Sequence, residues 1–123
     1  MRFPRARFLR LAEEALAELP KRLRGLLYNI EIDIKETPGA EAGKWKGSTT
    51  LLGLYSGLKR GEMTSPSSGA YMPARIVLYK KNIEDRCDSD KELARQIRHT
   101  LFHEIGHHFG FNEEEIRRKW PDD

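Results

Sequence analysis

The sequence predicts an α+β fold, in which a small twisted mixed sheet of three or four strands packs against an N-terminal helix and a second helix near the C-terminus. Three observations support it. Residues 8–19 repeat apolar side chains with a helical period, residues 28–35 alternate between apolar and polar side chains, and residues 90–109 follow a helix-start signal. With 123 residues and 38% hydrophobic content, we expect one domain, residues 1–123, with one modest core.

The N-terminal helix is predicted from a single apolar face. The residues of that face are Phe8, Leu11, Ala12, Ala15, Leu16 and Leu19. Pro20 ends the helix. The first ten residues are basic, which is typical of a nucleic-acid arm or a transit peptide, but Glu13, Glu14 and Glu18 neutralise the polar face. We therefore expect a structural helix that packs on the sheet.

Three strands are predicted between the two helices. Residues 28–35 place Tyr28, Ile30, Ile32 and Ile34 on one face, which is typical of a half-buried strand. The second strand is predicted at about residues 49–55 and the third at residues 75–79.

Glycine and proline mark the connections. Residues 36–48 and 59–73 are predicted to be loops, and residues 80–88 a connector to the second helix. Because a loop as long as 59–73 is commonly functional in a small domain, we expect it to border or cover an active site.

The second helix is predicted to run from Asp90 to about Phe109. Ser89 and Glu92 form a capping box, in which the hydroxyl and the carboxylate satisfy backbone amides at the helix start. The first half of this helix is amphipathic, whereas the second half leaves no solvent face. Its last turns are therefore expected to be largely buried.

Those last turns contain the sequence HExxH at residues 103–107. Residues four apart on a helix lie one above the other, so His103 and His107 can direct two imidazole nitrogens at one metal ion. Glu104 is placed to take a proton from a metal-bound water. Burying these three groups is unfavourable without partners, and a divalent cation supplies them. We predict one zinc ion per chain.

A third ligand is expected just beyond the helix. Gly110 suits the left-handed position that ends the helix and turns the chain back, and Asn112 with Glu115 resembles a second capping box. Glu113 is the predicted third ligand, although a carboxylate in a first helical turn also fits a purely structural role. The remaining candidates are Glu114, Glu115, Asp122 and Asp123.

The motif and its flanking segments resemble the small bacterial zincin-like metallopeptidase family, whose motif is HExxHxxGxx followed by an acidic residue. The acidic position is often aspartate in that family and is Glu113 here. The resemblance covers nearly the whole chain. The segments that carry it are Leu19-Pro20, the strand at 28–34, Leu-Gly-Leu-Tyr-Ser-Gly at 52–57 and Arg-Ile-Val-Leu-Tyr at 75–79.

The resemblance implies a minimal zincin-like fold with an edge strand beside the metal, which we place at residues 49–57. An extended peptide or protein substrate can pair with such an edge. Zinc activates a water, and Glu104 accepts its proton as general base and passes it to the leaving amine. An additional oxyanion donor is usual, and the candidates are Tyr55, Tyr71, His99 and His108. By its helical angle, His108 is interpreted as a hydrogen-bonded packing residue.

The sequence also permits two other functions. The first is a metal-dependent nuclease, because a bacterial endoribonuclease family also uses a short zincin-like helix, although with three histidines. The second is a non-catalytic zinc-stabilised binding module, in which Glu104 would be structural. A structural zinc site is usually closed by a fourth protein ligand, which favours the peptidase.

Composition limits location and partners. The net charge of +3 permits an acidic partner without requiring one, and we expect no nucleic-acid partner. The sequence shows neither a membrane-span length of apolar residues nor a signal-peptide core, so a cytoplasmic location without a membrane partner is expected. Cys87 is the single cysteine, which suits a reducing compartment and a role without catalysis.

Overall fold

The structure is a computed structural model that describes residues 2–19, 21, 30–56, 74–112, 114, 115 and 118. Its elements follow the predicted order of a helix, three strands and a long helix. They are α1 (Arg5–Ala17), β1 (Ile30–Lys35), a 3-10 helix (Ala40–Trp45), β2 (Gly53–Ser56), β3 (Ala74–Tyr79), α2 (Lys80–Glu84) and α3 (Asp90–His108).

The three strands form one mixed sheet in the order β1-β3-β2. β1 runs parallel to β3, with Ile32 opposite Ile76. β2 runs antiparallel to β3 on the other side, with Tyr55 also opposite Ile76. The α+β class is confirmed, and β2 lies at an edge of the sheet in the part of the chain described, as expected for residues 49–57.

The core lies between the sheet and the two long helices. Side chains of α1 and α3 pack together over Ile34, Ile76 and Leu78. β3 is buried on both faces, because Ile76, Val77, Leu78 and Tyr79 each expose 1% or less. A continuous apolar run of this kind is typical of a central strand.

Capping residues that are adjacent to α3 in the sequence determine both of its ends. The Ser89 hydroxyl accepts a hydrogen bond from the Glu92 amide at 3.2 Å, as predicted. The Glu92 carboxylate accepts from the amide of Asp88 rather than of Ser89. At the other end Gly110 has a φ of 82°, its amide donates to the carbonyl of His107, and the amide of Phe111 donates to Gly106. These two bonds form a Schellman motif, which turns the chain back.

Two predicted connections contain short helices. Residues 80–88 connect β3 to α3 as expected, and the first five of them form α2, in which Lys80, Asn82 and Glu84 are buried. Residues 36–48 were expected to be a loop but contain the 3-10 helix. Neither short helix was predicted, because the polar residues that are fixed by specific partners there give no apolar periodicity; these are Glu41, Asn82 and Glu84.

A buried carboxylate joins α2 to the N-terminal segment. The Lys80 ammonium lies 2.8 Å from Glu84 Oε2, and their side chains are 9% and 0% exposed. The backbone amide of Phe3 and the guanidinium of Arg2 donate to the same carboxylate. Burial acts to raise the pKa of Glu84, but these three donors outweigh it and hold the pKa below its usual range.

Other boundaries differ modestly from the predictions. α1 ends at Ala17, before Pro20, and β2 begins at Gly53 rather than near residue 49. The predicted strand start at Tyr28 and the predicted loop 59–73 lie outside the described residues.

Candidate metal centre

Two imidazoles converge on one side of α3. His103 and His107 lie one helical turn apart, and their Nε2 atoms are 3.2 Å apart. Their rings meet edge to face, with centroids 4.9 Å apart. The His103 side chain is 30% exposed, so the pair can be reached from solvent.

The spacing of these nitrogens fits a shared metal ion. Two nitrogens bound tetrahedrally to zinc at about 2.0–2.1 Å lie roughly 3.3 Å from each other. The observed separation of 3.2 Å is close to that value. Glu104 Oε2 lies 4.0 Å from His103 Nε2. The three side chains offer ligand atoms within 4.8 Å of one another, so His103, Glu104 and His107 could hold a metal ion.

Glu104 is held against the edge strand. It is 8% exposed and packs where β2 meets α3. A Cβ on Gly53 would lie 2.8 Å from Thr100 Cγ2 and 3.4 Å from Glu104 Cγ. Only glycine at position 53 therefore lets β2 lie this close to Thr100 and Glu104 of α3. No motif of the sequence points to Gly53, although an isolated glycine in a strand pattern can mark such a contact.

A hydrogen bond also joins β2 to the last turn of α3. The Tyr55 hydroxyl and His108 Nδ1 lie 3.0 Å apart. His108 is fully buried, and its ring contacts both Tyr55 and Phe109. The interpretation of His108 as a hydrogen-bonded packing residue agrees with this environment. Of the other oxyanion candidates, His99 is exposed and Tyr71 lies outside the described residues.

The segment after α3 contains the predicted second capping box. The amide of Glu115 donates to Asn112 Oδ1 at 2.8 Å, and the amide of Asn112 donates to Glu115 Oε1 at 3.0 Å. This pairing engages the Glu115 carboxylate. Glu113 lies outside the described residues, so its role as third ligand stays a prediction.

Cys87 is buried beside α2. Its thiol donates to the carbonyl of Ile83, and burial, followed by the charges of Glu92 and Asp88, raises its pKa. A protonated, inaccessible thiol is a poor nucleophile. This agrees with the expectation that Cys87 has no catalytic role.

A helix that carries HExxH and packs against the edge strand of a mixed sheet defines the zincin class of metal site. The family model described as zincin-like metallopeptidase matches residues 27–120, and the chain belongs to this family. No match was found among curated proteins. Family membership implies zinc or another divalent metal as cofactor. No helix among the described residues is long and apolar enough to span a membrane.

Proposed function

We propose that this protein is a zinc-dependent metallopeptidase that hydrolyses peptide bonds. His103, His107 and Glu113 are the proposed ligands of one zinc ion per chain, and Glu104 is the proposed general base. The convergence of the His103 and His107 Nε2 atoms at 3.2 Å, with the Glu104 carboxylate beside them, is the observation that supports this function most directly.

When bound, zinc would supply a Lewis acid that activates water and polarises a carbonyl. His103 and His107 would hold the ion through neutral nitrogens, so its positive charge would stay available to polarise water and the carbonyl. Glu104 accepts the water's proton at a carboxylate oxygen and returns it to the leaving amine. Its low exposure strengthens the electrostatic interaction with these groups, because little water screens it.

The substrate is proposed to be an extended peptide or protein segment. β2 lies at an edge of the described sheet, where main-chain groups can pair with an added strand. Because Gly53 lies against Glu104, a segment paired with β2 would pass beside the catalytic carboxylate. Tyr55 holds the same strand to α3 through His108.

The first experiment measures metal content. Wild type is expected to bind one zinc per chain, and His103→Ala, His107→Ala and Glu113→Ala are expected to lose it. His99→Ala and Glu114→Ala are matched controls, because both side chains are exposed neighbours of the proposed ligands. Absence of zinc binding by the wild type at any supplied concentration would contradict the proposal.

The second experiment measures cleavage of casein and a peptide library. Glu104→Gln is expected to retain zinc but to lower kcat by about 10²–10⁴-fold, the usual contribution of general acid–base catalysis. Zinc binding without any peptide cleavage would instead favour a binding module, and zinc-dependent cleavage of RNA would favour a nuclease.

A further inference from the structure

Residues 39–47, here called the Trp45 platform, present an exposed indole between two lysines. Trp45 is 48% exposed, and the other large exposed hydrophobic residue described is Leu9. The Lys44 ammonium lies 5.4 Å from the centre of the Trp45 ring. Within the described part of the chain, neither Lys44 nor Lys46 forms an ion pair with a carboxylate.

The platform is anchored underneath by Glu41. Glu41 Oε2 accepts hydrogen bonds from the amide of Gly39 and the hydroxyl of Tyr79, each at 2.9 Å, and Lys35 lies 3.2 Å from Oε1. The backbone bond from Gly39 contributes most to lowering the pKa of Glu41 to about 2, with further contributions from Tyr79 and Lys35. The anchor is therefore charged and intact near neutral pH.

A second anchor closes the base of the platform. The amide of Gly47 donates to the carbonyl of Pro38 at 2.9 Å. Asn82, which is 1% exposed, donates to the carbonyls of Ser48 and Leu51 at 2.9 and 2.8 Å. Gly43 and Gly47 have φ values of 57° and 79°, which other residues rarely adopt. These bonds hold the turn that carries Trp45 at both of its ends.

An anchored aromatic side chain is suited to recognition. Tryptophan supplies a large contact area at low conformational cost, and it is enriched among residues that dominate binding energy. The carboxylate of Glu41 is engaged by Tyr79, Gly39 and Lys35, whereas Lys44 and Lys46 have no carboxylate partner among the described residues and make the platform positively charged next to Trp45. The complementary surface is an acidic segment that also carries an apolar side chain.

The platform adjoins the proposed substrate edge. Residues 48–52 connect it to β2, and the carbonyl of Leu52 accepts a hydrogen bond from the amide of Tyr79 at 2.9 Å. Gly53, the next residue, packs against Glu104. A substrate that extends past the Gly53 end of β2 therefore approaches the platform.

We propose that the Trp45 platform docks an acidic segment of the protein substrate, next to the segment that pairs with β2. This inference rests on the proposed peptidase function. A single-stranded nucleic acid is also acidic, and the binding measurements distinguish it from such a segment.

Fluorescence anisotropy of a labelled peptide tests the docking site directly on the full chain. The probe is a short peptide of alternating glutamate and leucine, with a glutamine-for-glutamate peptide as its matched control. We expect wild type to bind the acidic probe, and added salt to weaken binding. Trp45→Ala and the double variant Lys44→Gln/Lys46→Gln should each weaken binding by about tenfold.

Matched variants test whether the effect is local. Leu9→Ala removes the other exposed hydrophobic side chain, and Lys91→Gln removes an exposed lysine of α3, so both should bind as wild type does. The proposal is overturned if Trp45→Ala binds the acidic probe as tightly as wild type, or if the glutamine peptide binds equally well. Tighter binding of a single-stranded oligonucleotide, lost in the same variants, would also overturn it.

Cleavage kinetics separate this proposal from the proposed function. For a substrate with an acidic extension, Trp45→Ala should raise KM with little change in kcat, and for a substrate without one it should change neither. Binding of the acidic probe without turnover of any peptide would contradict the peptidase and leave the docking site standing. Turnover without binding of the probe would contradict the docking site alone.

Discussion

At the scale of single residues, Gly53 determines how closely the edge strand approaches the candidate base. A Cβ at this position would lie 2.8 Å from Thr100 Cγ2 and 3.2 Å from the carbonyl oxygen of Val77. The carbonyl belongs to the central strand and cannot move independently of the sheet. The close approach of β2 to Glu104 therefore depends on the absence of a Cβ at residue 53.

We predict that Gly53→Ala lowers the free energy of unfolding by about 1–3 kcal/mol, because it overpacks a tight contact. It should also lower peptidase kcat/KM, because β2 must move away from Glu104. Urea unfolding and steady-state kinetics measure the two effects.

The double variant Gly53→Ala/Thr100→Ser is the control for this prediction. It removes the nearest methyl group, so it should regain part of the lost stability. If Gly53→Ala alone had the stability and activity of wild type, a Cβ at residue 53 would not overpack the contact between β2 and α3.

The sequence predicted some residues of the candidate site and not others. His103, Glu104 and His107 could be identified because their spacing on one helix is a local property. The contact of Gly53 with α3 and the bond between Tyr55 and His108 join residues that are distant in sequence, so no local pattern specified these pairs. The position of Glu113 stays a prediction.

At the scale of elements, α3 is the helix whose limits were predicted best, because each end carries its own signal. Ser89 caps the first turn and Gly110 takes the left-handed conformation after the last. The 3-10 helix and α2 were missed, because Glu41, Asn82 and Glu84 are fixed by partners distant in sequence, which leave no apolar periodicity.

We predict that Ser89→Ala destabilises the protein by about 1 kcal/mol, because the amide of Glu92 loses its side-chain acceptor. Urea unfolding followed by circular dichroism measures the change. Ser89→Asp keeps an acceptor and should remain within a few tenths of a kcal/mol of wild type. Equal stability of Ser89→Ala and wild type would show that this cap contributes nothing.

At the scale of the whole molecule, the buried Glu84 carboxylate links the N-terminal segment, α2 and the end of the central strand. Its partners come from Arg2, Phe3 and Lys80, so one side chain joins regions far apart in sequence. The order β1-β3-β2 was likewise not predictable, because strand pairing is a non-local property. The class, the mixed character of the sheet, its three strands and the edge position of residues 49–57 were predicted, but the central position of β3 was not.

We predict that Glu84 makes stability depend on acid pH. Its folded-state pKa lies below the usual value of 4.5, so its contribution is fully present above pH 4.5 and is lost as the pH falls toward the folded-state pKa. Urea unfolding of wild type and Glu84→Gln across this range measures the effect. Glu84→Gln should be less stable by about 3–5 kcal/mol near neutral pH, since Lys80 loses its buried partner, and should lose less stability on acidification.

The control is Glu13→Gln, which removes an exposed carboxylate from α1 and should reproduce the pH dependence of wild type. Parallel stability curves for Glu84→Gln and wild type would contradict a role for Glu84 in acid sensitivity.

The central position of β3 also bears on how the protein forms during synthesis. β1 and β2 each pair with β3 and not with each other, yet β3 is the last of the three strands in the chain. A nascent chain folds from its N-terminus as it emerges, so the sheet cannot close until β3 has left the ribosome. Glu104 comes later still, and among the described strands the one it packs against pairs only with β3. The candidate metal centre therefore forms only after His107 has been made, late in the synthesis of these 123 residues.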